Sequence, residues 1–207
     1  MPANKRRTSN DRKFDIDKIP LVPRILIVCE GERTEPNYFR QFCVTNSIFG
    51  EAMNTLSLVR RTIEIRDEKG PFNQVWCVFD LDSFPKQHFD EAIQLAKKEN
   101  IKTAYSNEAF ELWYILHYDY LQSQISRSQY IKTLGERLCK KYHKNDLAIY
   151  DDLLHLQETA ILNAKRLLEE HHPIHTNCSE KKPSTTVYEL VLELNKHMRP
   201  TQTQGGK

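Results

Sequence analysis

Residues 24–35 read Arg24-Ile-Leu-Ile-Val-Cys-Glu-Gly-Glu-Arg-Thr-Glu35, and this stretch decides the fold of the 207-residue chain. The run 25–29 is continuously apolar, rich in β-branched residues and too short for a helix. It suits a strand buried on both faces, as in parallel sheets. It stops at Glu30-Gly31-Glu32, and Thr34-Glu35-Pro36 then opens a helical pattern, with Thr34 the expected N-cap and proline in the first turn. A carboxylate at the carboxyl end of a buried strand, ahead of a glycine turn, stands where open α/β sheets build their sites.

A second stretch repeats the arrangement. Residues 74–82 read Gln-Val-Trp-Cys-Val-Phe-Asp-Leu-Asp, so another buried run, 75–79, ends in acid. Asp80 and Asp82 are two apart and point to one side of an extended chain. Adjacent strand ends would bring Glu30, Asp80 and Asp82 together. Carboxylates about 4 Å apart repel by roughly 4 kcal/mol per pair at an effective dielectric of ~20. Such a group must protonate, separate or bind a cation, and hard oxygen donors favour Mg²⁺ or Mn²⁺. The plainer reading is that acids after strands cap helices or make turns.

Elsewhere the pattern is that of an ordinary globular chain. A 39% apolar content and a formal charge of +2 do not advertise a nucleic-acid binder, so any such surface must be local. No apolar run approaches the ~20 residues of a membrane span and none reads as a signal peptide. Five scattered cysteines fit a reducing cytoplasm, with Cys29 and Cys77 as small core residues. We expect a basic disordered tail over 1–20, an α/β core over 21–120, a helical part over 121–200 and a frayed end over 201–207.

Within the core, a helix is expected over 34–47, with Tyr38 and Phe39 buried rather than stacking on bases, and a second strand over 55–59. Arg60, Arg61 and Arg66 follow that strand as a basic cluster able to meet phosphate, or as a solvated loop. A helix over 88–99 comes next, with Lys86 before it as a candidate for phosphoryl charge, and then a strand over 101–105. Ser106-Asn107 is expected to cap a buried helix over 110–118, with Glu111 preferred to Glu108 as a fourth site acid. His117 reads as a core or interface histidine. Helices are expected over 126–142, 152–171 and 186–198, the last with Thr186 and Glu189 as a capping box. The stretch His171-His-Pro-Ile-His175-Thr-Asn-Cys178 lacks a paired zinc spacing. Pro183-Ser184-Thr185-Thr186 reads either as an ordinary cap or as hydroxyl and amide donors for phosphate at a helix start.

Taken together these landmarks carry a resemblance. Glu30-Gly31 and Asp80-x-Asp82 after hydrophobic strands resemble the Toprim pattern of topoisomerases, primases and OLD-type nucleases. The fuller set resembles the RloB-like family of bacterial Toprim-related proteins. It comprises Glu30-Gly31-Glu32-x-Thr34-Glu35-Pro36-x-Tyr38-Phe39, Phe79-Asp80-x-Asp82, Ser106-Asn107-x-x-Phe110-Glu111-Leu112-Trp113 with His117, and Pro183-Ser184-Thr185-Thr186-Val187. The chain departs from the family at Glu108-Ala109, where Pro-Cys is expected.

The resemblance implies a small, mostly parallel Toprim-like sheet of about four strands flanked by helices, with a C-terminal helical elaboration. It also implies a Mg²⁺- or Mn²⁺-dependent nuclease acting on RNA, including tRNA, or DNA, as the effector of a restriction-linked anti-phage system controlled by an AAA-type ATPase. Asp80 and Asp82 would hold metal, Glu30 would be ligand or general base helped by Glu32 or Glu35, and Glu111 would support a second metal. An oligomer is left open. The rival reading is a non-catalytic module that binds metal and nucleic acid, or pairs with the ATPase.

Overall fold

The computed structural model describes residues 23–42, 46–81, 86–171 and 177–198. The tail over 1–20, Asp82, the middle of the histidine stretch and residues 201–207 lie outside these. Five strands form one sheet: β1 (Ile25–Cys29), β2 (Asn46–Gly50), β3 (Gln74–Asp80), β4 (Lys102–Asn107) and β5 (Ser184–Thr185). Their order is β2-β1-β3-β4-β5; the first four are parallel, and β5 runs antiparallel to β4. The helices are α1 (Thr34–Arg40), α2 (Thr55–Lys69), α3 (Lys86–Lys98), α4 (Glu111–Ile115), α5 (Arg127–Arg137), α6 (Ile149–Leu154), α7 (Gln157–His171) and α8 (Val187–Asn195).

Strand alternation explains the two cores. Ile25, Ile27, Cys29, Trp76 and Val78 face one side and pack with Tyr38 and Phe39 of α1 and with α4 to α8. Leu26, Val28, Val75, Cys77 and Phe79 face the other, against Leu58 and Val59 of α2 and Phe89 and Ala92 of α3. Both faces are covered, so the strands read as unbroken apolar runs. The chain leaves β1 in one direction to reach β2, then crosses back over β1 to β3 and β4. With right-handed crossovers that reversal puts α1 on the opposite face from α2 and α3. The reversal point lies between β1 and β3, and the carboxyl ends there bear Glu30 and Asp80.

Several expectations change. The second strand is Asn46–Gly50, and residues 55–59 open α2 instead. Asn54 caps that helix by accepting from Ser57 N at 3.0 Å, and Thr55, Leu58, Val59, Thr62 and Ile65 recur at helical spacing on its buried side. Being an edge strand with only β1 as neighbour, β2 makes do with a short apolar signal at Ile48 and Phe49. The first helix accordingly ends at Arg40, and Thr34 is its first residue, with its hydroxyl donated to the Lys144 carbonyl rather than capping. The helix expected over 126–142 stops at Arg137, and Cys139 takes a left-handed φ of 51°. The one expected over 152–171 is broken into α6 and α7.

The sheet also takes its fifth strand from the part expected to be helical. Ser106 and Asn107 are strand residues, not caps, and pair with Thr185 and Ser184. The Thr186 hydroxyl makes no helix cap; it accepts from Tyr105 N at 2.9 Å and donates to the Thr103 carbonyl at 3.3 Å. Among the described residues no helix is long and apolar enough to cross a membrane.

Candidate functional site

At the reversal point the chain is pinned on both sides of Glu30. Its amide donates to the Val78 carbonyl at 2.8 Å, and its carbonyl accepts from Ala52 N at 3.0 Å. Its carboxylate accepts from Asp80 N at 3.3 Å. The two strand-end acids are therefore neighbours. Gly31 follows because an added β-carbon would overlap the Glu35 carboxylate, which folds back from α1 across the turn. Glu111 enters from the first turn of α4, where the helix dipole favours a carboxylate.

These groups line a cleft of about 340 Å³ with Glu32, Arg33, Thr34, Phe110, Arg127 and Lys144. Glu35 and Glu111 are almost wholly buried. Burial, then the charges of Glu35, Glu111 and Glu30, push the Asp80 carboxyl well above the ordinary carboxylate range, and Arg127 offsets part of this. Burial, then the Glu111 charge, raises Glu35 as well. Tyr142 donates its phenol to Glu111 Oε1 at 3.5 Å. Arg127 Nη2 stands 3.5 Å from Asp80 Oδ2, and Lys144 Nζ stands 3.7 Å from Glu111 Oε1.

Glu30, Glu32, Glu35, Asp80 and Glu111 are thus brought to one cleft, whereas the expected phosphate ligands are not. Lys86 is exposed at the start of α3 and does not line the cleft. Arg60 is exposed on α2. Arg61, on the same helix, pairs with Glu64 at 2.9 Å and Glu51 at 3.4 Å. Ser184 and Thr185 are fully buried, and their hydroxyls donate to the carbonyls of Lys181 at 2.6 Å and Tyr105 at 3.0 Å. Glu108 instead accepts from Gln124 at 3.0 Å. His117 is a core residue: Nδ1 lies 2.9 Å from the Trp113 carbonyl, and burial lowers its pKa to about 4. Tyr38 and Phe39 are core as expected, stacked edge-on with Phe110.

The donor set suits a hard divalent cation in kind, being all oxygen, and Asp80 is raised first by its burial and then by the neighbouring acids. Among the described residues no group of three or more His, Cys, Asp or Glu side chains is arranged to hold a metal ion. The two strand-end acids meet through the Asp80 amide, which donates to the Glu30 carboxylate. The residues that sequence reasoning missed are Arg127, Tyr142 and Lys144. The one local signal was Ser126 with Gln129, a capping box that fixes the start of α5 beside Arg127.

No curated protein and no solved structure matches the chain. The family model described as RloB-like protein matches residues 25–194, from the first strand to the last helix, so the chain belongs to the RloB-like protein family.

Proposed function

We propose that the cleft is the active site of a Mg²⁺- or Mn²⁺-dependent nuclease acting on RNA, including tRNA, or on DNA. The observation that supports this best is the meeting of Glu30 and Asp80 at the switch point of a parallel sheet, with Glu35 and Glu111 in the same cleft. Glu30 and Asp80, with Asp82, would hold the cation, and Glu111 would support a second. An ion there would supply Lewis acidity toward a phosphodiester and acidify attacking water.

The chain's own residues do the rest. Glu35 packs over Gly31 with its carboxyl raised by burial, so it holds a proton nearer neutrality than an exposed glutamate and is placed to accept or return one. Phe110 lines the cleft beside the acids, and the buried Tyr142 donates to Glu111, which is itself almost wholly buried. The family resemblance adds the setting: a cytoplasmic effector of a restriction-linked defence system, held or directed by an AAA-type ATPase.

The test is a titration of Mg²⁺ and Mn²⁺ with a mixed RNA and DNA pool, comparing wild type with Asp80→Ala and Glu30→Ala. Cleavage that needs the cation and disappears in both folded variants is the expected result. Full activity in Asp80→Ala would sink it. A second reading, a non-catalytic binding module, is favoured by one observation: Arg127 and Lys144 already serve the acids as counter-ions. Cation-dependent stabilisation with no cleavage product, and capture of the ATPase by pull-down, would support that reading.

A further inference from the structure

The acids of the cleft lie in a recess. The side chains of Glu111 and Asp80 are 3% and 14% exposed, whereas that of Lys144 is 49% exposed. The space measures about 340 Å³, near the low end of the ~300–1,000 Å³ that hold a small ligand, and gives room for one nucleotide. A duplex is stiff, carries its phosphates on a convex surface and keeps its bases stacked inside, so it cannot follow such a recess. An unpaired strand bends and can splay one nucleotide out.

The loop between α5 and α6 supplies Lys144 and Asn145 to the lining. Its backbone is firmly placed. The Thr34 hydroxyl donates to the Lys144 carbonyl at 3.0 Å, and Asp146 N donates to the His143 carbonyl at 2.9 Å. Tyr142 is buried with its phenol toward Glu111, and Lys140 pairs with Asp146 at 2.9 Å and Asp152 at 2.6 Å. What this fixed loop turns outward is basic: Lys141, His143 and Lys144 are all exposed. The Lys141 ammonium makes no hydrogen bond or ion pair with a described residue. Together with Arg33 of the lining, Lys141 and Lys144 set three exposed bases against one exposed acid, Glu32, while Asp146 and Asp152 are taken by Lys140. Positive charge therefore stands in front of the recessed acids, where an approaching polyanion meets it first. Lys141 and Lys144 are three positions apart, at most ~10 Å of chain, which suits successive phosphates of one strand. Further along the same loop Leu147 is 62% exposed and offers an apolar surface to an unstacked base.

We propose that the loop over 140–147 is the entrance for an unpaired phosphodiester strand: Lys141 and Lys144 hold its phosphates, Leu147 meets a base, and one nucleotide reaches the recessed acids. This rests on the reading of the cleft as a nucleic-acid site, and it narrows the substrate to single-stranded segments and loops. A duplex must first unpair a nucleotide to enter, at a cost of a few kcal/mol. The binding step is the chain's own and needs no metal ion.

The experiment uses the full chain with a chelator present, and measures fluorescence anisotropy of labelled single-stranded RNA, single-stranded DNA and the matching duplexes across a salt series. The wild type should bind at least one single strand about tenfold or more tighter than its duplex. Lys141→Gln and Lys144→Gln should each reduce the salt slope by about 0.7, and Lys141→Arg should restore it. Leu147→Ser should weaken binding roughly three- to tenfold with the salt slope unchanged, as loss of an apolar contact does. Lys98→Gln is the comparison: it is equally exposed but lies in the last turn of α3, on the other face of the sheet, and should change nothing. Duplex bound as tightly as single strand, or Lys98→Gln costing as much as the loop variants, would overturn the proposal, as would a wild type that binds no strand. Cleavage is then assayed separately with Mg²⁺ and Mn²⁺. A protein that binds as expected yet cuts nothing would refute the nuclease reading and leave the entrance standing, whereas one that prefers to bind and cut duplex would do the reverse.

Discussion

Gly50→Ala puts the geometry of the site to a direct test. Gly50 ends β2 opposite Cys29, immediately beside the turn that carries the first acid. An added β-carbon there would stand 2.6 Å from the Gly31 carbonyl oxygen and 2.7 Å from the Glu32 α-carbon. Both are backbone atoms, so no side-chain rotation relieves the clash; the strand or the turn must shift. Overpacking of this kind costs about 1–3 kcal/mol. For a chain of this size each kcal/mol lowers the melting midpoint by ~2–4 °C, so a drop of roughly 2–12 °C is expected. Since Glu30 is hydrogen-bonded to Val78 and Ala52 through its backbone, the shift also moves its carboxylate and weakens cation binding in the fraction that stays folded. Thermal denaturation and Ca²⁺ calorimetry measure both. Gly135→Ala is the internal comparison: its added β-carbon meets nothing closer than the Lys140 carbonyl at 3.4 Å. Alanine's helix advantage of about 0.5–1 kcal/mol should then raise the midpoint. A Gly50→Ala protein that melts and binds cation like the wild type would refute the close approach of β2 to the acid turn.

Three further perturbations separate the roles of buried polar groups. Asp80 has a folded pKa raised by burial and neighbouring acids, so its contribution to stability is present below the ordinary carboxylate range and lost as pH rises through the folded value. Asp80→Asn should therefore be more stable than wild type at neutral pH in denaturant titrations, by about 1.4 kcal/mol per unit of the rise, with the gain fading below about pH 4. A pH-independent difference would contradict the crowding. His117 has the opposite sign: lowered to about 4, it favours the fold above the unfolded value of about 6.5 and loses that stability as pH falls through the window between them. Going from pH 7.5 to 5 should cost roughly 2 kcal/mol that His117→Asn does not lose, and equal pH slopes in the two proteins would count against a buried neutral imidazole. Thr185→Val removes a buried hydroxyl bonded to the Tyr105 carbonyl and Ser106 and should cost about 1–3 kcal/mol in chemical denaturation. Strand binding per folded molecule should stay constant, and its selective loss would return Thr185 to a phosphate role.

The legibility of this chain follows the range of its contacts. The runs at 25–29 and 75–79 were readable because a strand covered on both faces must be apolar at every position, and the acid ending each run was readable because it breaks that pattern. Their adjacency was only a condition, because strand order is not written in any local pattern; the structure supplies it, with Asp80 N reaching the Glu30 carboxylate across 50 positions. Reading failed where local pattern and long-range pairing disagree. Residues 55–59 alternate weakly like a strand, but the Asn54 cap and the repeat through Ile65 continue as a helix, and the true edge strand at 46–50 is too sparsely apolar to announce itself. Ser184 and Thr185 look like hydroxyl donors at a helix start, and only their pairing with Ser106 and Asn107 shows that two separate landmarks are the two sides of one sheet edge.

The same distinction explains why the acids of the cleft were found and its bases were not. An acid at a strand end is placed by the strand itself, so its position in sequence is already its position in space. Arg127 and Lys144 are placed by contacts that no local period encodes. One follows a helix cap 47 positions after Asp80. The other sits in a loop begun without a glycine signal, where Cys139 takes the left-handed turn, and is held by a hydroxyl 110 positions away. The β1 and β3 ends thus present their acids by strand geometry alone, whereas residues 127–144 bring their bases to the same cleft only through tertiary contacts.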